Sequence, residues 1–210
     1  MMTHFNMTQK DTKAFIFDLY DTLYLEKDFV MSGFVAVSEY LAKKYKLKKM
    51  NIFKILKKDF EGGVRENNFN VLLKKLNLPK NELKKMIVIY RNHNPKIKLC
   101  NDARKILKNL KKDKNIKVGL VSDDIVRKQR SKIKALDIEK YFDAIVLTDS
   151  LGKKYRKPHT RPFKIILEKL KLDSNQVIYV ADNLNKDFIG ARKLGIFTVR
   201  IKRERSMYCN

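Results

Sequence analysis

The stretch Ala14-Phe15-Ile16-Phe17-Asp18-Leu19-Tyr20-Asp21-Thr22-Leu23 decides how the rest of the chain is read. An apolar run stops at an aspartate and passes straight into a polar turn. That is the pattern of a short strand buried on both faces of a parallel sheet. Such a strand needs parallel partners, and each crossover to a partner needs a helix or its equivalent. The second half of the chain offers both. Lys117–Val121, Ala144–Leu147, Gln176–Val180 and Ile196–Val199 read as strands, while Ile125–Leu136, Arg161–Leu170 and Lys186–Leu194 read as helices. Gly195 closes the last of these helices from the position past its end. The alternation predicts an α/β fold with a parallel sheet.

The chain between the first two strands has a different character. Phe29–Tyr45, Ile52–Phe60, Phe69–Leu76 and Glu82–Tyr90 place apolar residues at helical spacing, with Gly62-Gly63, Pro79 and Pro95 as punctuation. The expected organisation is a helical insertion over residues 25–95 inside a core made of residues 1–24 and 96–210. Asn101–Lys112 returns the chain to the sheet as a helix.

In an open parallel sheet, ligands bind beyond the carboxyl ends of the strands. The residues at those ends here are chemically pointed. The first strand runs into Asp18, Tyr20, Asp21 and Thr22, and the second into Ser122, Asp123 and Asp124. The third is followed by Thr148 and then Lys157-Pro158, and the fourth by Asp182-Asn183 and Asp187. Singly, strand-end Asp and Ser are ordinary turn and capping residues. Together they bring carboxylates, hydroxyls and a lysine to one edge of the sheet.

In this order the motifs resemble those of the haloacid dehalogenase superfamily, whose members are mostly aspartate-dependent phosphatases. Phe17-Asp18-Leu19-Tyr20-Asp21-Thr22-Leu23-Tyr24 looks like its first motif and Val121-Ser122 like its second. Lys157-Pro158 with Pro162-Phe163 looks like the third, and Asp182 through Ala191 like the fourth. The resemblance covers about residues 14–200. It implies a Rossmann-like doubly wound sheet with the helical insertion as a small cap, and hydrolysis of a small phosphorylated metabolite such as a sugar phosphate or nucleotide. It makes Asp18 the nucleophile that forms an aspartyl-phosphate. It gives Mg²⁺ to Asp18, the Tyr20 carbonyl and Asp182, with Asp187 close by. Thr22, Ser122, Asp123 and Lys157 would meet the substrate, and Lys157 would also pair with Asp18. Among the basic residues near it (Lys153, Lys154 and Arg156), only Lys157 is followed by proline. The chemistry is coherent, because attack on an anionic phosphate ester depends on charge neutralisation and positioning.

One residue departs from the pattern. Phosphatases of this superfamily carry a second Asp two positions after the nucleophile, which protonates the leaving group, and here that position is Tyr20. A phenol with an ordinary pKa near 10 is a poor base at neutral pH. Three readings follow: a phosphatase, slow because its acid is missing; a protein that binds a phosphorylated ligand without turnover; or dehalogenase or phosphonate chemistry. The Asp182 and Asp187 pair argues for metal and phosphate, since the dehalogenases need no metal. Asp21 is the other acid near the nucleophile.

Composition adds bounds. The chain has 210 residues and a formal net charge of +25, with 48 Lys and Arg against 23 Asp and Glu. Lys supplies 37 of those cations and they are scattered in pairs, with no zinc-finger, RRM or KH signature, so no nucleic-acid partner is expected. Two cysteines give no disulfide framework. No stretch is apolar enough to span a bilayer, and Met1–Lys13 has no apolar centre, so no membrane association and a cytoplasmic setting are expected. Nothing in the composition sets an oligomeric state. In the insertion, Arg65 after the glycine pair is a candidate contact for a substrate anion, and the aromatics Phe29, Phe34, Tyr40, Tyr45, Phe53, Phe60 and Phe69 read as packing. His159 reads as a loop residue, and Ile201–Arg205 as a solvated basic tail.

Overall fold

The computed structural model describes residues 12–204; most of the polar stretch Met1–Lys13, together with Arg205 and Cys209, lies outside them. Five strands, β1 (Ala14–Phe17), β2 (Lys117–Ser122), β3 (Ala144–Leu147), β4 (Val177–Ala181) and β5 (Phe197–Arg200), form one sheet in the order β3-β2-β1-β4-β5. Every pairing is parallel. From β1 the chain winds outward through β2 and β3, then crosses back to β4 and winds the other way to β5. This is the doubly wound order, and its reversal places a crevice at the carboxyl end of β1. The register sets Phe17 beside Leu120 on one side and Val180 on the other. Asp18 follows at once, held to β4 by its N–H on the Val180 carbonyl at 2.9 Å.

The chain divides into two compact units, one running up to Glu26 and resuming at Lys98, the other Lys27–Ile97. In the first, α5 (Asn101–Lys112), α6 (Val126–Leu136), α7 (Arg161–Leu170) and α8 (Asp187–Arg192) accompany the strands. Phe163 on α7 meets Tyr179 on β4 edge to face at 4.9 Å, and Phe188 on α8 joins them, all fully buried with Ile16, Val121 and Ile166. Burial of each such aromatic contributes roughly 1.5–3 kcal/mol. After α8 the chain closes through Gly195 at φ +77°, with Ile196 N–H on the Ala191 carbonyl and Gly195 N–H on that of Arg192. That is the glycine-dependent helix stop expected there.

The second unit holds most of α1 (Glu26–Tyr45), then α2 (Lys49–Glu61), α3 (Asn68–Lys75) and α4 (Glu82–Asn92). Phe34 lies within about 6 Å, ring to ring, of both Phe60 and Phe69, and Phe69 meets Tyr90 at 5.5 Å. Tyr40 and Tyr45 do something else: both hydroxyls donate to Glu82, at 2.6 and 2.9 Å. Arg65 is turned onto its own helix end, donating to the Phe60 carbonyl with its guanidinium 4.0 Å over the Phe60 ring. No helix among the described residues is long and apolar enough to cross a membrane.

Candidate active site

The carboxyl ends of β1 and β4 carry Asp18 and Asp182, and Asp187 opens α8 just beyond. One oxygen from each of these three buried carboxylates falls within 4.8 Å of the others. Between Asp18 and Asp187 sits the Lys157 ammonium, which is fully buried. It lies 2.5 Å from Asp18 Oδ1, 2.8 Å from Asp187 Oδ1 and 3.2 Å from the Tyr179 hydroxyl. Asp187 also accepts the Asn183 N–H, which ties the loop after β4 to the start of α8. Asp18 Oδ2 has no hydrogen-bond partner among the described residues.

Crowding of like charges shows in the titration of the group. Burial, partly offset by Lys157, lifts Asp18 to about 6. Burial first, and then Asp18 and Asp187, lift Asp182 to about 7. Burial works against the Lys157 charge, but Asp18, Tyr179 and Asp187 outweigh it and hold that lysine well above its ordinary value. At neutral pH the Asp18–Lys157 pair is therefore ionised on both sides.

Lys157 reaches this place because its loop is pinned. Its N–H donates to Asp123 Oδ1 at 3.2 Å, and the Thr148 hydroxyl donates to the same oxygen at 2.6 Å. The Asp123 carboxylate thus holds the third-motif loop. The Lys157-Pro158 peptide is cis. Gly190 on α8 faces that loop, and a Cβ there would stand 2.5 Å from the Pro158 carbonyl and 2.8 Å from that of His159. Only glycine lets the two segments approach so closely. Arg156 pairs with Asp149, and His159 Nδ1 accepts the Arg161 N–H at the start of α7.

Around the nucleophile turn, Thr22 is buried and its hydroxyl has no partner among the described residues. Its carbonyl accepts from Arg203 Nε at 3.0 Å and Nη2 at 2.5 Å, and Arg203 also pairs with Asp102. The basic tail is therefore not simply solvated: one of its residues clamps this turn. Asp21, at φ +45°, accepts the Glu26 N–H at 2.8 Å and so caps the start of α1.

Tyr20 points its hydroxyl toward α6. The oxygen lies 2.9 Å from Asp124 Oδ2 and 2.8 Å from Gln129 Oε1, and it accepts from Lys132 Nζ at 2.5 Å. Burial keeps the phenol protonated far above its ordinary range. Gln129 and Lys132 are both fully buried, and burial, reinforced by Lys128, depresses the Lys132 pKa strongly. Lys128 holds Asp124 near 2 although burial pushes the other way. The Gln129 amide also donates to Ser122 Oγ. None of Gln129, Lys132 or Arg203 is evident as a site residue from motifs, and Gly190 lies within the fourth without a role being read for it. The first two leave a trace: they share the face of α6 that buries Ile133 and Leu136, a polar pair at core positions.

The chain matches known proteins. The haloacid dehalogenase-like hydrolase family matches residues 15–201. The glyceraldehyde 3-phosphate phosphatase of Methanocaldococcus jannaschii is 32% identical over 198 residues, covering 90% of this chain and 84% of that protein. A HAD phosphatase structure from Thermococcus onnurineus superposes with a TM-score of 0.59 at 23% identity, covering 94% of this chain and 95% of that one. A 2-haloacid dehalogenase from Pseudomonas syringae superposes equally well, with a TM-score of 0.60 at 17% identity over 90% of this chain and 86% of the other. The fold alone therefore does not choose between phosphate and halide chemistry, but fold, ordered motifs and sequence identity agree on the lineage: the chain belongs to the haloacid dehalogenase-like hydrolase family.

Proposed function

We propose that the protein is a Mg²⁺-dependent phosphomonoester hydrolase that acts on a small phosphorylated metabolite through an aspartyl-phosphate on Asp18. The observation that carries this reading is the buried cluster of Asp18, Asp182 and Asp187, with Lys157 paired to Asp18 and Asp187. The donor set fits Mg²⁺, a hard cation that takes oxygen ligands. Asp18 Oδ2 is buried without a hydrogen bond among the described residues, and the neighbouring negative charges that add to burial in raising Asp182 are what a divalent ion would offset. Asp18, Asp182 and the Tyr20 carbonyl would hold the ion, with Asp187 beside them; it would neutralise phosphoryl charge and help align the phosphate for in-line attack.

The chain's own groups supply the rest. Asp18 is the carboxylate that attacks phosphorus, splitting the reaction into phosphorylation and hydrolysis of the protein. Lys157 keeps Asp18 ionised and adds positive charge where the phosphoryl oxygens gather. Thr22 and Ser122 bring buried hydroxyls to bind those oxygens. The Asp123 carboxylate serves by holding the Lys157 loop. Tyr20 and Asp21 are both engaged elsewhere, Tyr20 with α6 and Asp21 with the Glu26 N–H. On this reading neither Tyr20 nor Asp21 protonates a leaving alkoxide. Rate should therefore depend steeply on leaving-group acidity, with a deficit of roughly 10²- to 10⁴-fold on alkyl esters. Sugar phosphates and nucleotides are the substrate class, and glyceraldehyde 3-phosphate, the substrate that names the relatives, is the first to try. The same engagement of Tyr20 favours a second reading, in which a phosphorylated ligand is bound and not turned over.

The test is phosphate release from a phosphomonoester panel, including glyceraldehyde 3-phosphate and p-nitrophenyl phosphate, with Mg²⁺ or EDTA. Release should require Mg²⁺ and fall by at least about 1000-fold in Asp18→Asn. Binding of phosphate without release would establish the second reading. Chloride release from 2-chloropropionate in EDTA would replace both with dehalogenase chemistry.

A further inference from the structure

Gln129, seven residues after Ser122, makes its bonds through one buried side-chain amide. Its Nε2 donates to the Asp123 carbonyl at 2.6 Å and to Ser122 Oγ, and its Oε1 lies 2.8 Å from the Tyr20 hydroxyl. A backbone carbonyl can only accept, so the amide nitrogen must face Asp123 and the orientation of the group is fixed. The remaining N–H then goes to Ser122 Oγ and makes that oxygen an acceptor. A hydroxyl that accepts on one side keeps its own proton for another direction. Among the described residues that proton meets no acceptor.

The far end of the amide meets the Tyr20 hydroxyl. Lys132 donates into the Tyr20 oxygen, so the single phenolic proton is left for Gln129 Oε1 or Asp124 Oδ2. We infer that Gln129 is a positioning residue that aims the Ser122 proton at a phosphoryl oxygen, and that the Asp123 carbonyl holds the Gln129 amide in the orientation this requires. The inference rests on the phosphate reading of the site and deepens it. Tyr20, at the place where the phosphatases that this chain resembles carry an acid, instead packs its hydroxyl against the oxygen end of that amide.

Gln129→Glu keeps the shape and removes the N–H pair that serves the Asp123 carbonyl and Ser122 together, so Ser122 loses the donor that directs its proton. Gln129→Met removes both functions without adding charge, and thermal melts of both variants report folding. Binding of inorganic phosphate in saturating Mg²⁺, measured calorimetrically, should weaken by about 10-fold or more in Gln129→Glu, as in Ser122→Ala. Either Gln129 change placed on Ser122→Ala should cause no further loss, because the hydroxyl it acts through is gone. A merely structural role, or a simple charge effect, would persist in that background. The Gln129 side-chain amide resonances of the ligand-free protein give a readout independent of turnover. They should be protected from solvent exchange and should move in Ser122→Ala and Tyr20→Phe. Additive losses in the double variants, or resonances indifferent to Ser122→Ala, overturn the inference. A wild type that binds phosphate and obeys the cycle but releases none from any ester overturns the hydrolase reading and leaves the positioning role standing.

Discussion

Replacing Lys157 with methionine removes the one cation held between Asp18 and Asp187 while nearly preserving volume. The ammonium stands 2.5 Å from one carboxylate and 2.8 Å from the other, with no exposure of any of the three side chains beyond 1%. At an effective dielectric near 20, each contact is worth about 6 kcal/mol of gross Coulomb energy. Most of that is offset by the cost of taking three charges out of water. What the variant loses is the pairing alone, since the carboxylates stay buried, and breaking a buried pair from one side costs roughly 3–5 kcal/mol. For a chain of this length that corresponds to a fall in Tm of about 10 °C at neutral pH. The deficit should be largest in EDTA and should shrink when Mg²⁺ is added, because a divalent ion at the same carboxylates restores positive charge. Thermal melts of wild type and Lys157→Met, each in EDTA and in saturating Mg²⁺, measure both effects. If Lys157→Met melts within a degree or two of wild type in EDTA, or if Mg²⁺ raises both proteins equally, the electrostatic account of this cluster is wrong.

Other expectations can be checked on the same protein. Asp182 has an ordinary value of 3.8 but is lifted to about 7 in the fold, first by burial and then by Asp18 and Asp187, so a stability cost sets in above pH 3.8, grows up to about pH 7 and is constant beyond it. Asp182→Asn should therefore raise the Tm of the metal-free protein more at pH 8 than at pH 5, and least near pH 4; an equal gain across this range would contradict this. Gly190→Ala should cost about 1–3 kcal/mol of stability and lower kcat, because its Cβ collides with the loop that carries Lys157; an unchanged kcat would show that the loop tolerates displacement. Arg203→Ala, which frees the Thr22 carbonyl and Asp102, should destabilise by about 1–2 kcal/mol, and Arg203→Lys should rescue it only in part because an ammonium lacks the forked geometry. The charge of +25 should draw anionic substrates, so kcat/KM should fall several-fold as the Debye length shrinks from about 10 Å at 0.1 M salt to about 3 Å at 1 M, with kcat unmoved.

The sequence by itself determined the fold class and the order of its parts. Short apolar runs such as Ala14–Phe17 can be satisfied only inside a parallel sheet, and the helical spacing between Phe29 and Tyr90 admits no strand, so the interruption of the sheet after β1 was legible from local pattern. It also marked Asp18, Ser122, Lys157, Asp182 and Asp187, because strand ends in such a sheet share one edge. What it left open was the meaning of Tyr20 and Asp21, since direction at a turn depends on contacts distant in the chain. The Tyr20 hydroxyl meets groups more than a hundred positions away, on a helix whose Gln129 and Lys132 look like ordinary polar residues until the face they share is known to be buried. Arg203 reads as one charge in a basic tail until the tail is seen against Thr22, 181 positions earlier. Strand and helix periodicity is written in neighbouring residues, but a hydrogen bond is set by position and direction in space, and only the folded chain brings those partners together.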